Sequence, residues 1–409
     1  MAVTFDDIRA AAGALDGVAV KTPLIRSPRL SERFGAEIFL KLESLQYTGS
    51  FKDRGAFVKL DRLSADERKA GVIAASTGNH AQGVAHHARR LGIPATIVMP
   101  VTTPFTKVEH TRRFGPRIVS QGETMAEATE FAIATAKGQG LAFIPAYDDP
   151  AIIAGQGTVG LEMLAAEPGL DTLIVPLGGG GLIAGIAIAA KHIKPDIAIY
   201  GVEAASFPAM HCALHGIELK SGGSTLADGI AVKYPGKLTQ PVIREQVADV
   251  LLVDEEGIER AVETLLIGEK LLAEGAGAVP LAALEANRER FEGRKVGLVI
   301  SGGNIDSRIL SSILLRGLVR SGRLIRLRVE LLDQPGALQK VAEVIAKSGA
   351  NVVELSHQRL FSDVPIKHAE LDLTIETRSP EHAREVTERI TAAGFPTRLL
   401  SSRATGNSD

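Results

Sequence analysis

The chain has 409 residues, with 46 Lys+Arg against 48 Asp+Glu, 45% hydrophobic and 23% charged residues, and a formal net charge of −2. This length leaves room for two to three folding units and excludes a lone small module. The composition excludes a disordered chain, and the balanced charge gives no field for nucleic acid or an anionic membrane, which leaves a small-molecule partner.

At the N-terminus Asp6, Asp7 and Arg9 stand where a signal peptide needs a basic start and an apolar stretch, so the expected location is the cytoplasm. The lone Cys212 can form no intramolecular disulfide, as a reducing compartment would lead one to expect. The first chemical segment is Thr48-Gly49-Ser50-Phe51-Lys52-Asp53-Arg54-Gly55. A lysine is usually a solvated surface charge, and Lys41, Lys59 and Lys107 are read that way. Lys52 follows Phe51 and two turn-forming residues at a predicted loop-to-helix junction. Partial desolvation there lowers the amine's pKa and frees it for Schiff-base chemistry, although on spacing alone the surface reading is the commoner one.

The apolar run 72–75 ends in Ser76-Thr77-Gly78-Asn79-His80, and a helix is predicted over 81–91, closed by Gly92. The free N–H groups at that helix start make either a site for a carboxylate or phosphate or a simple Ser/Thr/Asn cap. His80 and His87 share a helix face, but no Cys or carboxylate completes a metal set, so both are read as core or surface histidines and no metal is expected.

Further apolar runs at 95–99, 173–177, 197–202, 250–253 and 296–300 lack polar alternation, the mark of strands buried on both faces of a parallel sheet. Residues 1 to about 315 therefore read as a doubly wound α/β unit with its ligand at the carboxyl ends of the strands. The uncharged stretch 173–190 has the length of a membrane span, but Pro176 and four consecutive glycines break it, so no membrane is expected. Gly178, Gly179, Gly180 and Gly181 open a predicted helix over 182–192. Their amides can surround a phosphate with no Cβ in the way, and the spacing fits neither G-x-G-x-x-G nor a P-loop. Ser301-Gly302-Gly303-Asn304 is by itself a turn; beside a phosphate cup and a candidate lysine it offers a hydroxyl to a ring nitrogen.

The basic stretch 316–323, with Gly317 and Gly322, reads as a solvated linker. Beyond it the period becomes two: Ile325, Leu327, Val329 and Leu331, then Ala369, Leu371, Leu373 and Ile375, alternate with polar residues. Leu338, Val341 and Ile345 mark a helix stopped by Gly349, and Ser379 with Pro380 opens another that ends at Gly394. The order is βαββαβ, one antiparallel sheet with two helices on one face.

Together, Ser50-Phe51-Lys52, Ser76-Thr77-Gly78-Asn79-His80, Gly178–Gly181 and Ser301-Gly302-Gly303-Asn304 resemble the fold-type-II pyridoxal-phosphate enzymes, over nearly all of residues 5–315. The stretches Tyr147-Asp148-Asp149-Pro150, Ala154-Gly155-Gln156-Gly157-Thr158, Leu226-Ala227-Asp228-Gly229 and Glu274-Gly275-Ala276-Gly277-Ala278 look most like the threonine dehydratases (threonine ammonia-lyases). Residues 325–400, with Asp333-Gln334-Pro335-Gly336-Ala337-Leu338, resemble an ACT domain, a module that often binds amino acids. The resemblance implies a tryptophan-synthase-β-like large domain from 1–54 and 156–315 and a small α/β domain from 55–155. A linker at 316–324, a ferredoxin-like ACT unit at 325–401 and a disordered tail at 402–409 would follow.

It also implies roles. Lys52 would hold pyridoxal 5′-phosphate covalently and, once displaced by the substrate amine, remove the Cα proton; Phe51 would pack on the ring. Gly178, Gly179, Gly180 and Gly181 would bind the phosphate, Asn79 the ring hydroxyl and Ser301 the ring nitrogen. The substrate carboxylate would rest on Ser76, Thr77, Asn79 and His80. The implied reaction converts L-threonine, and also L-serine, to a 2-oxo acid and ammonia in a dimer or tetramer, with isoleucine or valine as effector. Thr77 departs from the usual alanine and leaves a serine-racemase-like or 3-hydroxyaspartate ammonia-lyase activity open. Glu203 matches one racemase metal ligand, but Ala209 stands where its partner would be, so no metal is implied. A nonenzymatic amino-acid sensor is the remaining alternative.

Overall fold

In the computed structural model, which describes residues 3–358 and 365–400, the uninterrupted apolar runs form strands that are buried for most of their length, Leu252 on the edge strand excepted. Strands β1 (Leu24–Arg26) and β2 (Glu37–Leu42) come first, then β3 (Val72–Ala75), β4 (Ala95–Met99), β5 (Arg117–Ser120) and β6 (Ala142–Phe143). They are followed by β7 (Thr172–Pro176), β8 (Ala198–Ala204), β9 (Asp249–Val253) and β10 (Lys295–Ile300). One sheet runs β1-β2-β10-β7-β8-β9, parallel except for β1, which pairs antiparallel with β2. The second, β5-β4-β3-β6, is parallel throughout. All five residues of β7 are buried, as a strand covered on both faces requires.

β10 is the last of these strands in the chain, yet it lies between β2 and β7. The carboxyl ends of β2, β10 and β7 are therefore neighbours where the strand order reverses, the place where such sheets bind ligands. The segments leaving those three ends are the loop to Lys52, Ser301-Gly302, and the four glycines.

Three helices behind this edge touch backbone to backbone through glycine. They are Lys52–Asp61, Pro150–Ala166 and Gly181–Ile193. A Cβ on Gly155 would lie 2.7 Å from the Gly55 Cα, and one on Gly157 2.7 Å from the Gly185 carbonyl. Gly185→Ala would drive its methyl into the Ile153 carbonyl and to 2.6 Å from the Gly157 nitrogen. We expect this variant to lose about 1–3 kcal/mol, read as a lower urea midpoint at unchanged slope; an unchanged midpoint would show that the crossing has slack.

The chain divides into two units at 306/307. The second contains helix Ser307–Arg320, then β11 (Leu324–Leu332), β12 (Asn351–Gln358), β13 (His368–Glu376) and β14 (Thr397–Leu400). They form an antiparallel sheet ordered β12-β13-β11-β14, with helices Ala337–Lys347 and Pro380–Ala392 supplying the α positions of βαββαβ. Leu327, Val329, Leu371 and Leu373 pack with Val341, Ile345, Val386 and Ile390.

Two expectations are corrected. The linker at 316–324 is largely helix: Ser307–Arg320 runs through it with Ile313 and Gly317 buried, and the turn falls at Gly322, φ +65°. Gly317 was a packing residue, not a sign of flexibility. The polar face of β13 is also not wet, because Asp372 is buried beneath Arg328, whose Nε donates to it at 2.6 Å. That contact leads in holding the Asp372 carboxyl below its ordinary range. No described helix is long and apolar enough to cross a membrane, and the tail expected at 402–409 lies outside the described residues.

Candidate active site

Lys52 is the first residue of its helix, entered from a turn that the carboxyl-end loops stitch in place. The Gly49 amide donates to the Gln46 carbonyl at 2.8 Å with φ +77°, the conformation glycine adopts without strain. The Phe51 amide donates to the Ser301 carbonyl at 3.0 Å, and the Gly303 amide to the Gly49 carbonyl at 2.9 Å. The lysine turn and the Ser301 loop are thus one hydrogen-bonded unit. The Lys52 Nζ donates to the Ala146 carbonyl at 2.7 Å and lies 5.1 Å from the centre of the Phe51 ring. Burial pulls its pKa down to about 8, against the attraction of Glu274. The desolvation expected at this junction is present, and it supplies neutral amine near physiological pH.

The glycine loop crosses from β7 into its helix with Gly180 at φ +93°. Side chains are excluded along it: a Cβ on Gly178 would meet the Ile230 Cα at 3.0 Å, one on Gly181 the Tyr147 carbonyl at 2.9 Å, and one on Gly179 the ring of Tyr147. Thr239 Oγ1 donates to the Gly179 carbonyl at 2.7 Å from behind. The first-turn N–H groups have no upstream carbonyl within the helix and suit an anion.

Opposite, the helix Asn79–Leu91 begins beyond β3. Asn79 Nδ2 donates to Glu274 Oε1 at 2.6 Å, and Asn304 Nδ2 donates both to Asn79 Oδ1 at 2.8 Å and to the Thr48 carbonyl at 2.7 Å. Burial first, and Asp228 second, push the Glu274 carboxyl up to about 7, with Asn79, Lys107 and the Asn304 amide opposing. Ser76 Oγ accepts the Gly78 amide at 3.2 Å and so shapes the turn before the helix. His80 is buried with its ring on the Ile144 carbonyl at 2.9 Å. Burial, then the Lys52 charge, lowers its pKa to about 3, so it stays neutral, and only its backbone is left to an anion. Ser301 is buried beside the lysine turn, and Thr77 is partly exposed.

Sequence reading passed over Asn304, Glu274 and Tyr147 as individuals, naming each only inside a motif. Lys41 is a correction: it is not a surface lysine but is 1% exposed and bonded to Glu162. Glu203 is engaged by the Met210 and His211 amides at 2.8 and 2.9 Å, fixing a helix start. Among the described residues no group of three or more His, Cys, Asp or Glu is gathered for a metal.

A partly buried lysine of lowered pKa and a side-chain-free loop suited to an anion, at strand ends flanking β10, are the arrangement that carbonyl-phosphate cofactor chemistry requires. The chain belongs to the family of pyridoxal-phosphate dependent enzymes, matched over residues 16–302. It is 44% identical over 400 residues to the L-threonine ammonia-lyase of Thermotoga maritima, covering 97% of this chain and 100% of that one. The solved threonine deaminase isoform 2 of Solanum lycopersicum, in its processed form, is similar at TM-score 0.73 and 36% identity, over 78% of this chain and 91% of that one. Maize serine racemase matches at TM-score 0.73 and 34% identity, over 78% and 99%. The residues present fit the family's cofactor, because the cup between Ile230 and Tyr147 admits backbone alone and the lysine is desolvated within the same set of loops.

Proposed function

We infer that the protein is a threonine ammonia-lyase that also accepts serine. The observation that carries this reading is Lys52, partly buried with its pKa lowered to about 8 by desolvation among loops that leave three adjacent strand ends. The names of the relatives support the substrate.

Lys52 would hold the cofactor, Phe51 flank its ring, the amides of Gly178–Gly181 its phosphate, Asn79 its ring hydroxyl and Ser301 its ring nitrogen. When bound, pyridoxal phosphate supplies an electron sink for the bonding pair left at the substrate Cα. Lys52 removes the Cα proton, for which a lysine tuned near neutrality is suited. The Ser76–His80 backbone orients the substrate carboxylate, and Glu274, through Asn79, keeps that helix start in register with the ring. Loss of the β-hydroxyl as water, then tautomerisation and hydrolysis, gives 2-oxobutanoate and ammonia from threonine.

A second reading, racemisation, is motivated by the Thr77 hydroxyl and the likeness to maize serine racemase. A substrate panel separates them: threonine should give 2-oxobutanoate fastest, serine pyruvate more slowly, and neither a D-isomer. D-serine as main product would move the assignment to racemisation, and faster turnover of 3-hydroxyaspartate to a 3-hydroxyaspartate ammonia-lyase.

We further propose residues 55–155 as a small α/β domain, 325–401 as an ACT-like regulatory unit, a dimer or tetramer, and a cytoplasmic location. The βαββαβ order supports the regulatory role. Isoleucine or valine should change threonine kinetics and raise the melting temperature of the full chain; identical kinetics and melting would refute regulation.

A further inference from the structure

We propose that Asp53 and His87 are a buried pair of positioning residues that ties the turn presenting Lys52 to the helix beginning at Asn79. The proposal rests on Lys52 as the cofactor lysine. Asp53 is fully buried, and its carboxylate accepts the Thr48 amide at 3.0 Å and the Thr48 hydroxyl, so it closes the turn from which Lys52 projects. His87 is also fully buried, with Nε2 3.8 Å from Asp53 Oδ1, and neither ring nitrogen has a hydrogen-bond partner. Its ring meets Phe57 of the lysine helix edge-on at 5.4 Å and His86 at 4.7 Å.

An imidazole sealed beside a carboxylate with both nitrogens free is not explained by packing, which a phenyl ring would serve as well. A shift of about 1 Å would make the Nε2–H to Oδ1 hydrogen bond. The contact also completes a circuit. Asp53 holds Thr48, the Thr48 carbonyl accepts from Asn304, and Asn304 donates to Asn79 at the start of the helix that carries His87 two turns on. Midway along that helix, Gly83 passes so close that a Cβ would lie 3.2 Å from the Lys52 carbonyl. The lysine backbone is enclosed, and the Asp53–His87 contact is the side of the enclosure that carries titratable groups.

Burial lifts the Asp53 carboxyl to about 6; Thr48's hydrogen bonds oppose this, Glu43 adds to it and Arg54 subtracts. Burial, then His86 and Arg90, lowers His87 to about 3. Above about pH 6 the pair is therefore a carboxylate beside a neutral ring, and below it the protonated carboxyl accepts from Thr48 more weakly. The sign for stability is opposite. A carboxyl whose folded pKa is raised weakens the fold above that value and ceases to do so as pH falls toward its ordinary 3.8. Acid therefore loosens the lysine turn while relieving the buried charge.

The test compares wild type with Asp53→Asn and His87→Phe, as holoenzyme and as cofactor-free protein. Asp53→Asn should keep the cofactor's visible band but lose the inflection near pH 6 in the band's titration. Its kcat for threonine should fall by about 10- to 100-fold with KM within about threefold. Cofactor-free Asp53→Asn should lack Asp53's contribution to melting temperature between pH 7 and pH 5. His87→Phe should move the inflection by about half a unit or more. An unchanged inflection and kcat in Asp53→Asn would overturn the proposal. So would a lost band with an unaltered pH dependence of melting. Failure of the lysine reading shows separately, as absence of the band from wild type. Should Asp53→Asn not fold, Thr48→Val must still raise the inflection, and an unmoved one overturns the proposal.

Discussion

Lys52→Ala should lose both ammonia release from threonine and the visible band of the bound cofactor. The fall in turnover should be on the order of 10⁴-fold or more, since a positioned general base alone contributes roughly 10²–10⁴ and covalent attachment goes with it. Lys52→Arg is the sharper variant: it keeps the cation, yet a guanidinium is never neutral at working pH and can neither attach the cofactor nor accept the proton. Both variants should fold, because the amine's hydrogen bond is to a single backbone carbonyl, that of Ala146. Wild type carries a further mark in the cofactor-free state. Burial holds the folded-state pKa at about 8, below the ordinary 10.5, so the amine opposes folding below pH 8 and stability should rise between those values. Lys52→Ala should lack that rise. Full turnover in either variant would overturn the assignment.

The parallel strands were legible because burial on both faces leaves an unbroken apolar run, and β3 and β4 match the predicted runs residue for residue. β1, β2, β5 and β6 were not, being short or carrying polar residues: Glu37 and Lys41 in β2, Arg117 and Ser120 at the two ends of β5, and only Ala142 and Phe143 in β6. In the second unit, alternation in β11 and caps at Ser379 and Pro380 carried the reading. The same logic misread β13, since arginine stems on a neighbouring strand can bury a carboxylate that alternation assigns to solvent.

At the site, what was legible was local chemistry: a lysine after an aromatic and a turn, and glycines between a strand and a helix. What was not were partners brought together by the fold. Asn79 meets Glu274 across 195 residues and Asn304 across 225. Lys41 shows the same limit. Its position inside an apolar strand was a signal of burial, but the carboxylate that makes burial tolerable, Glu162, is 121 residues away.

That lysine belongs to a buried ionic cluster beside the active-site helix, and breaking it should have the largest effect on stability. Arg54, two residues after Lys52, donates to Glu43 at 2.8 Å from Nε and from Nη2, and to Glu162 at 2.7 Å and 2.8 Å. It also reaches Thr158 at 3.1 Å. Lys41 balances the cluster by donating to Glu162 and to the Thr22 carbonyl. Burial alone would raise the Glu43 carboxyl; the Arg54 charge and hydrogen bonds, with Lys41 and Thr22, reverse this and hold it below its ordinary range. Arg54→Leu removes the main opponent and leaves a sealed carboxylate, which should cost about 3–5 kcal/mol, a large share of the roughly 5–15 available. Arg54→Lys should recover only part, because an ammonium cannot make the fork. The pH dependence identifies the cause. In wild type, Glu43 stabilises the fold above the ordinary carboxylate pKa, and that contribution is lost as pH falls. In Arg54→Leu its pKa should lie above the ordinary value, so the variant should gain from acid. Urea midpoints of the two proteins should therefore converge between pH 8 and pH 5, and adding Glu43→Gln to Arg54→Leu should restore part of the loss at pH 8. Equal gaps at both pH values would show that lost packing, not an unpaired charge, is what Arg54 prevents.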